Sequence, residues 1–138
     1  MASTSGCSKG PDGPGVYEGG LAPCPSSPNC VSSDAADAAH RVEPLSIAGA
    51  PGAAWAAVLQ VVAELPRTTV AESDDTTLHA ECRSRLFRFV DDLDLQLRPE
   101  RGEIAVRSAS RVGYSDLGVN RARVEEIRAA LRERGVVQ

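Results

Sequence analysis

The sequence predicts a two-layer α+β domain: a four-stranded antiparallel sheet with helices packed on one face, in the order helix, four strands, helix. Two segments have apolar residues at the three-to-four-residue period of an amphipathic helix, and four short segments between them alternate apolar and polar residues. The chain has 138 residues, of which 42% are hydrophobic, which is enough for one core and too little for two.

The first helix is predicted from Pro51 to Leu65, because Pro51 suits a first turn and Pro66 cannot continue a helix. Its apolar face consists of Trp55, Val58, Leu59, Val62 and Leu65. The last helix is predicted over residues 120–134, with Asn120 as its N-cap and Gly135 as its stop. Its apolar stripe is Val124, Ile127 and Leu131.

Four strands are predicted between these helices, over residues 68–73, 77–87, 92–97 and 103–110. The alternation is clearest in DLDLQL, where every second residue is leucine. The turn PERG follows directly, so the last two strands are expected to form a hairpin.

The N-terminal 39 residues are rich in Gly, Pro, Ser, Ala and Asp and have almost no apolar period. They are therefore predicted to form an arm or tether, and residues 40–138 to form a single domain. Within the arm, Ser5, Gly6 and Cys7 resemble the end of a lipoprotein signal, in which the cysteine becomes acylated. The alternative is an ordinary leader with one free cysteine, in which case the chain as given would be cytoplasmic.

The formal net charge is −4, which argues against a nucleic-acid binder and against a basic membrane binder of the ordinary kind. Twelve arginines follow residue 82, where they outnumber nine acidic residues. Codon usage in a GC-rich genome is one explanation of this arginine content, and recognition of anions by planar guanidinium groups is the other.

Cys24 and Cys30 bracket CPSSPNC, whose two prolines favour a curled segment, so a disulfide between its ends is predicted. A metal site is the alternative, but it would need two further ligands, and His40 and His79 show no paired spacing. We therefore expect no metal and no cofactor. A disulfide would imply an oxidising compartment.

Polar residues interrupt the apolar faces where the strands end. By alternation, Ser108 and Ser110 continue the apolar face of the last strand, and Asp91 and Ser84 continue those of its neighbours. These four side chains are expected to converge at one edge of the sheet. Because buried polar groups must be hydrogen-bonded, they require an internal partner or a ligand. An ion pair of Asp91 with an arginine, Arg111 or Arg121, is the internal solution.

The last helix begins with Arg121 and Arg123, although cations are disfavoured at the positive end of a helix. Two guanidinium groups beside free N–H groups could bind a phosphate, sulfate or carboxylate. The alternative is that Asp116 or Asp91 occupies this position. The stretch from Arg107 to Arg121 is thus predicted to be a polar corner between the last strand and the last helix.

Three stretches resemble the domain-of-unknown-function 1499 family: CPSSPNCVSS, RLFRFVDDLDLQL and IAVRSASRVGYSDLGVNRARVE. The resemblance spans residues 15–134. Bacterial members often look like lipoproteins, which favours an acylated Cys7 and a location in the cell envelope or periplasm. Two departures are the missing signal region and Cys82. The family's characteristic positions correspond to Cys24, Pro28, Asn29, Cys30, Ser84, Phe89, Asp91, Asp92, Arg107, Ser108, Ser110, Arg111, Gly113, Tyr114, Asp116, Asn120 and Arg121.

Three functions remain open. The first is an envelope module that binds an anionic small molecule, a lipid headgroup or a partner's carboxylate at the polar corner. The second is a structural or scaffolding protein in which the corner only stabilises the fold. The third is a hydrolase-like enzyme with Asp91 or Asp92 as general base and an oxyanion stabilised by Arg107, Arg111 or Tyr114, although no nucleophile–base pair is recognisable. The candidate ligand-binding residues are Ser84, Asp91, Asp92, Arg107, Ser108, Ser110, Arg111, Tyr114, Asp116, Asn120 and Arg121.

Overall fold

The computed structural model describes residues 16–17, 20–85, 89–113 and 116–138. They form an α+β domain with two helices packed on an open sheet of six strands. The helices are α1 (Pro51–Glu64) and α2 (Val119–Glu133). The strands of the main sheet are β3 (Cys30–Ser32), β4 (Leu45–Ser46), β5 (Thr68–Ser73), β6 (Thr77–Arg83), β7 (Val90–Arg98) and β8 (Glu103–Ser110), and a separate two-stranded hairpin contains β1 (Val16–Tyr17) and β2 (Gly20–Leu21).

The four predicted strands are confirmed as the centre and one edge of the sheet, in the order β8, β7, β6, β5, with every neighbouring pair antiparallel. The predicted number of strands is wrong, because β3 and β4 also pair with β8. These two strands have three and two residues, so they are too short to show an alternating pattern.

Strand β3 lies in the stretch that the sequence assigns to the arm. It pairs with β8 from Cys30 opposite Ala109 to Ser32 opposite Arg107. Strand β6 is shorter than predicted, since it ends at Arg83 and leaves Ser84 in the following turn. Strand β5 is an edge strand with a bulge at Ala71, the residue without a partner between the pairs Val70–Ala80 and Glu72–His79.

The core lies between the helices and the inner face of the sheet. Apolar residues from α1 and α2 join those of β6, β7 and β8 in one buried cluster, which includes Trp55, Val58, Val62, Leu78, Leu93, Leu95, Ile104, Val106, Val124, Ile127 and Leu131. Neither helix in the described part of the chain has the length and apolar character needed to cross a bilayer.

The N-terminal segment covers part of the outer face of the sheet. Leu21 packs on Ala105, and its backbone N–H donates to Asp34, which also binds Arg98 through two hydrogen bonds of 2.8 and 2.7 Å. Gly20 has a φ of 140°, and a Cβ atom there would lie 2.9 Å from both Arg98 and Asp34. Glycine is favoured at this position because side chains rarely adopt this φ, and a Cβ atom would also displace the ends of the Arg98 and Asp34 side chains.

Candidate functional site

The chain brings several polar segments to one end of the sheet. There β6 and β8 end, β7 begins, and Cys82, Asp91 and Ser110 lie side by side on neighbouring strands. Helix α2 begins at the same end. We call this region, formed by residues 65–68, 82–85, 89–92, 110–113 and 116–123, the cleft end.

Five polar residues meet on the inner face at the cleft end. Ser108 donates to Oδ1 of Asn120 at 2.7 Å, and the amide nitrogen of Asn120 donates to Ser110 at 3.0 Å. Arg123 binds Ser108 at 3.0 Å and Asn120 at 2.8 Å. Its second terminal nitrogen lies 2.9 Å from Asp91. The predicted convergence of Asp91, Ser108 and Ser110 is therefore present, and its partner is an internal arginine.

The predicted ion pair of Asp91 with Arg111 or Arg121 is wrong, because Asp91 pairs with Arg123. Residue 123 lies three positions after the buried Asn120 and therefore faces the sheet, as helical geometry requires. The guanidinium of Arg121 instead binds backbone carbonyls of Arg41 and Ala39, at 2.9 and 3.1 Å.

The CPSSPNC segment contributes a further side of this network. Cys24 and Cys30 form the predicted disulfide, with their Cα atoms 5.7 Å apart. The carbonyl of Asn29 accepts from the Ser110 N–H at 2.9 Å and from the Asn120 amide at 3.2 Å. The Asn29 side chain donates to the Gly113 carbonyl at 2.6 Å. The disulfide segment thus holds β8 and α2 together.

Asp116 occupies the start of α2, which is one of the two alternatives raised for the anion-binding position. Its carboxylate accepts from the N–H groups of Gly118 and Asn120, at 2.9 and 3.0 Å. Burial alone would raise the pKa of Asp116, but these N–H groups and the Asn120 side chain hold it below its usual value. The predicted N-cap is wrong: Gly118 is the cap, with a φ of 82°, and Asn120 is a buried residue of the first turn.

Asp92 and Arg111 lie on the outer face, away from the inner network. Arg111 donates two hydrogen bonds of 2.8 Å to Asp92 and one of 2.9 Å to Glu81. His79 lies 3.4 Å from Asp92 and 2.8 Å from Asp94. Strand alternation explains the separation, since Asp91 and Asp92 must point to opposite faces.

These contacts shift two pKa values. Hydrogen bonds to Asp92 and then Asp94 outweigh burial and raise the pKa of His79 to about 9. Burial would raise the pKa of Asp92, but Arg111 and His79 lower it. His79, Glu81 and Asp92 could each offer a ligand atom within 4.8 Å of the others. Arg111 already binds both carboxylates there, so we assign no metal to this cluster.

The remaining predicted site residues have separate positions. Arg107 is buried on the outer face and donates to the Pro23 carbonyl at 3.1 Å. Ser84 accepts from the Phe89 N–H at 2.8 Å in the turn after β6. Tyr114 and Cys7 lie outside the described residues.

A cleft opens beside the inner network. One depression of about 220 Å³ lies between β5, β6 and α2, and a second of about 340 Å³ adjoins it around the turn after β6. Both contain Arg67, Thr68 and Arg83 in their walls. Arg123 also lines the first depression, and Arg85 also lines the second. We call the two together the arginine cleft.

The described walls of the arginine cleft contain more positive than negative side chains. Within the described ranges, Arg67 and Arg85 have no carboxylate within 4.0 Å, and Arg83 lies 3.6 Å from Glu81. Glu126 is the acidic side chain in the described walls. Cys82 also lines the cleft, but burial raises the pKa of its thiol, so it is a poor nucleophile.

Sequence reasoning missed Arg67 and Arg85 as members of this site, and it named Arg123 as a possible anion ligand but not as the partner of Asp91. A helical projection from Val124 would have placed Arg123 beside the sheet. No sequence pattern predicts the position of Arg67. It belongs to a turn, and the direction of its side chain depends on a left-handed backbone with a φ of 55°.

The comparisons with curated proteins and with solved structures found no match. A family model described as "Protein of unknown function (DUF1499)" matches residues 20–131. The match includes the disulfide segment, α1, all but the last two residues of α2, all strands of the main sheet and the arginine cleft. The chain therefore belongs to the DUF1499 family.

Proposed function

We propose that this protein is a binding module of the cell envelope that holds an anionic group, such as a phosphate or carboxylate, in the arginine cleft. One observation carries the proposal: Arg67 and Arg85 line a concave surface, and no carboxylate of the described residues neutralises them. Guanidinium groups bind phosphate and carboxylate with paired hydrogen bonds, and the hydroxyls of Thr69 and Ser84 supply further donors.

The proposed site differs from the polar corner that the sequence indicated. In that corner, Arg111, Arg121 and Arg123 are engaged by carboxylates or backbone carbonyls. These contacts support a stabilising role for the corner, which forms one wall of the cleft. Binding is assigned instead to Arg67 and Arg85 next to it. Nε of Arg67 donates to the Arg83 carbonyl at 3.2 Å, so the terminal nitrogens of Arg67 are the ones assigned to the ligand.

Hydrolase-like catalysis at Asp91 or Asp92 has less support. Asp91 binds Arg123, and Asp92 binds Arg111 and has a lowered pKa. A general base working near neutral pH needs a carboxylate with a raised pKa. Asp92 is therefore poorly suited to accept a proton from a substrate, and the carboxylate of Asp91 is occupied by its ion pair with Arg123.

A location outside the cytoplasm is part of the proposal. The Cys24–Cys30 disulfide supports it, since such bonds persist mainly in oxidising compartments. Acylation of Cys7 would attach the module to a membrane.

Calorimetric titration with pyrophosphate at low ionic strength tests the binding site. Arg67→Gln and Arg85→Gln are each expected to weaken binding about tenfold, the loss typical of one charge-assisted contact. Arg101→Gln is the matched control, because Arg101 is exposed at the opposite end of the sheet. Melting temperatures of all variants establish that they fold. Equal affinity of the wild type and both cleft variants, or no binding by the wild type, would exclude the proposed site.

A further inference from the structure

The cleft end also exposes apolar side chains. Within the described ranges, the large hydrophobic residues that are exposed are Phe89, Val112, Leu117 and Val119, with exposed fractions of 51%, 55%, 93% and 48%. They come from the turn before β7, the segment after β8 and the start of α2. Exposed apolar residues are normally scattered over a surface, so their concentration at one end indicates an interaction site.

Leu117 is the most exposed of the four and has an unusual backbone. Its φ is 55°, in the left-handed region that side chains other than those of glycine, asparagine and aspartate rarely adopt. Neither burial nor backbone preference therefore favours leucine here. A residue that is both exposed and strained is a candidate for contact with something outside the chain.

Arginines surround these apolar residues. Arg67, Arg83, Arg85 and Arg111 are exposed at the same end. The acidic groups there are fewer or less accessible: Asp91 and Asp92 are buried, Asp116 binds the start of α2, Glu81 pairs with Arg83 and Arg111, and Glu126 is exposed in the cleft wall. The charge presented to solvent is therefore mainly positive, in a chain whose formal net charge is −4. Apolar side chains next to cationic ones complement a surface with phosphates above hydrocarbon.

We infer that the cleft end docks on an anionic phospholipid surface. The four apolar side chains enter the region between headgroups and acyl chains, and the arginine cleft receives a lipid phosphate. This inference rests on the proposed function and names the class of its ligand. A peptide partner fits less well, because the four apolar residues lie on three separate segments, and of these four Val119 alone lines the described walls of the arginine cleft.

Flotation with vesicles tests this inference on the full chain carrying Cys7→Ser, so that no acyl group can attach. Binding is measured to phosphatidylcholine vesicles and to vesicles containing 30 mol% phosphatidylglycerol, roughly the range in which anionic lipid attracts basic residues. We expect the chain with Cys7→Ser and no change in the cleft end to bind the anionic vesicles at least several-fold better than the neutral vesicles. Raised salt is expected to weaken this binding.

Leu117→Asn is the decisive variant, because asparagine tolerates the left-handed backbone. It is expected to fold with an unchanged or higher melting temperature, to bind pyrophosphate like the wild type, and to lose most vesicle binding. Arg85→Gln is expected to weaken both the pyrophosphate binding and the vesicle binding, and Arg101→Gln is expected to change neither.

The outcomes separate the two proposals. Pyrophosphate binding without vesicle binding overturns the docking surface and leaves the anion site, whose ligand would then be a soluble molecule or an acidic protein. Vesicle binding that survives Leu117→Asn, or that is equal on neutral vesicles, also overturns it. Failure of the wild type to bind either probe overturns both proposals.

Discussion

His79 is held between Asp92 and Asp94 on the outer face of the sheet, with only 12% of its side chain exposed. Its pKa is raised to about 9 from 6.5, so the folded state binds a proton that the unfolded chain releases near neutral pH. This stabilisation is fully present below pH 6.5 and is lost as the pH rises through about 9. The histidine is therefore charged in the folded protein at neutral pH.

His79→Gln keeps a hydrogen-bond donor and removes the charge. We expect it to lower the free energy of unfolding by on the order of 1–2 kcal/mol near pH 6, after allowance for solvent screening. The difference from the wild type should shrink between pH 6.5 and 9.5, which denaturant titrations at several pH values would measure. His40→Gln is the control, with a smaller effect expected because its partner Asp37 is exposed. A difference that is constant with pH would contradict the charged His79.

At the scale of elements, α2 is fastened to β8 and to the disulfide segment through Asn120. This side chain is fully buried and contacts Ser108, Ser110, Asp116 and Arg123. Removing it leaves several buried polar groups without a partner, which is more costly than the loss of one hydrogen bond.

Asn120→Ala is expected to reduce the free energy of unfolding by about 2–4 kcal/mol, as the loss of a buried polar network does. Urea denaturation followed by circular dichroism measures this change. Glu133→Ala, an exposed substitution in the same helix, should change stability by less than about 0.5 kcal/mol. An equal and small effect of both substitutions would show that the network contributes little.

The elements that the sequence predicted well are those long enough to show a period. Strands β5 and β8 match the predicted bounds, and both helices differ by one residue or less at their starts and ends. The short strands β3 and β4 show no alternating apolar period. They owe their conformation to pairing with β8 rather than to their own side chains.

The polar contacts were less predictable than the elements. Alternation placed Asp91 and Ser110 on one face, and β7 and β8 pair them directly. It could not choose among arginines, because the partner depends on how α2 is rotated against the sheet. The same rule, applied to Asp92 and Arg111, would have placed both on the outer face, where they form their ion pair.

At the scale of the whole molecule, the disulfide segment connects the N-terminal cover to the sheet. Cys30 is buried at the start of β3, and Asn29 beside it binds β8 and the Asn120 amide. The bond therefore restrains a segment that contacts both the outer face and α2.

Reduction of the disulfide is expected to lower the free energy of unfolding by roughly 2 kcal/mol, as the entropy of so short a loop implies. The measurement is urea denaturation with and without dithiothreitol. A variant with Cys24→Ala and Cys30→Ala should be less stable by a similar amount and should not respond to the reductant. A response of that variant would show that the reductant acts on something other than the Cys24–Cys30 bond.

The bulge at Ala71 bears on whether two copies of the protein can associate through their sheet edges. Strand β5 is a free edge of the sheet, and its unpaired N–H and C=O groups could nucleate aggregation. The bulge twists this edge out of register, and Glu72 adds a charge beside it. A chain from which Ala71 is deleted would present a flat edge, and its solubility at high concentration should fall. We therefore expect the bulge, rather than the strand that contains it, to oppose self-association.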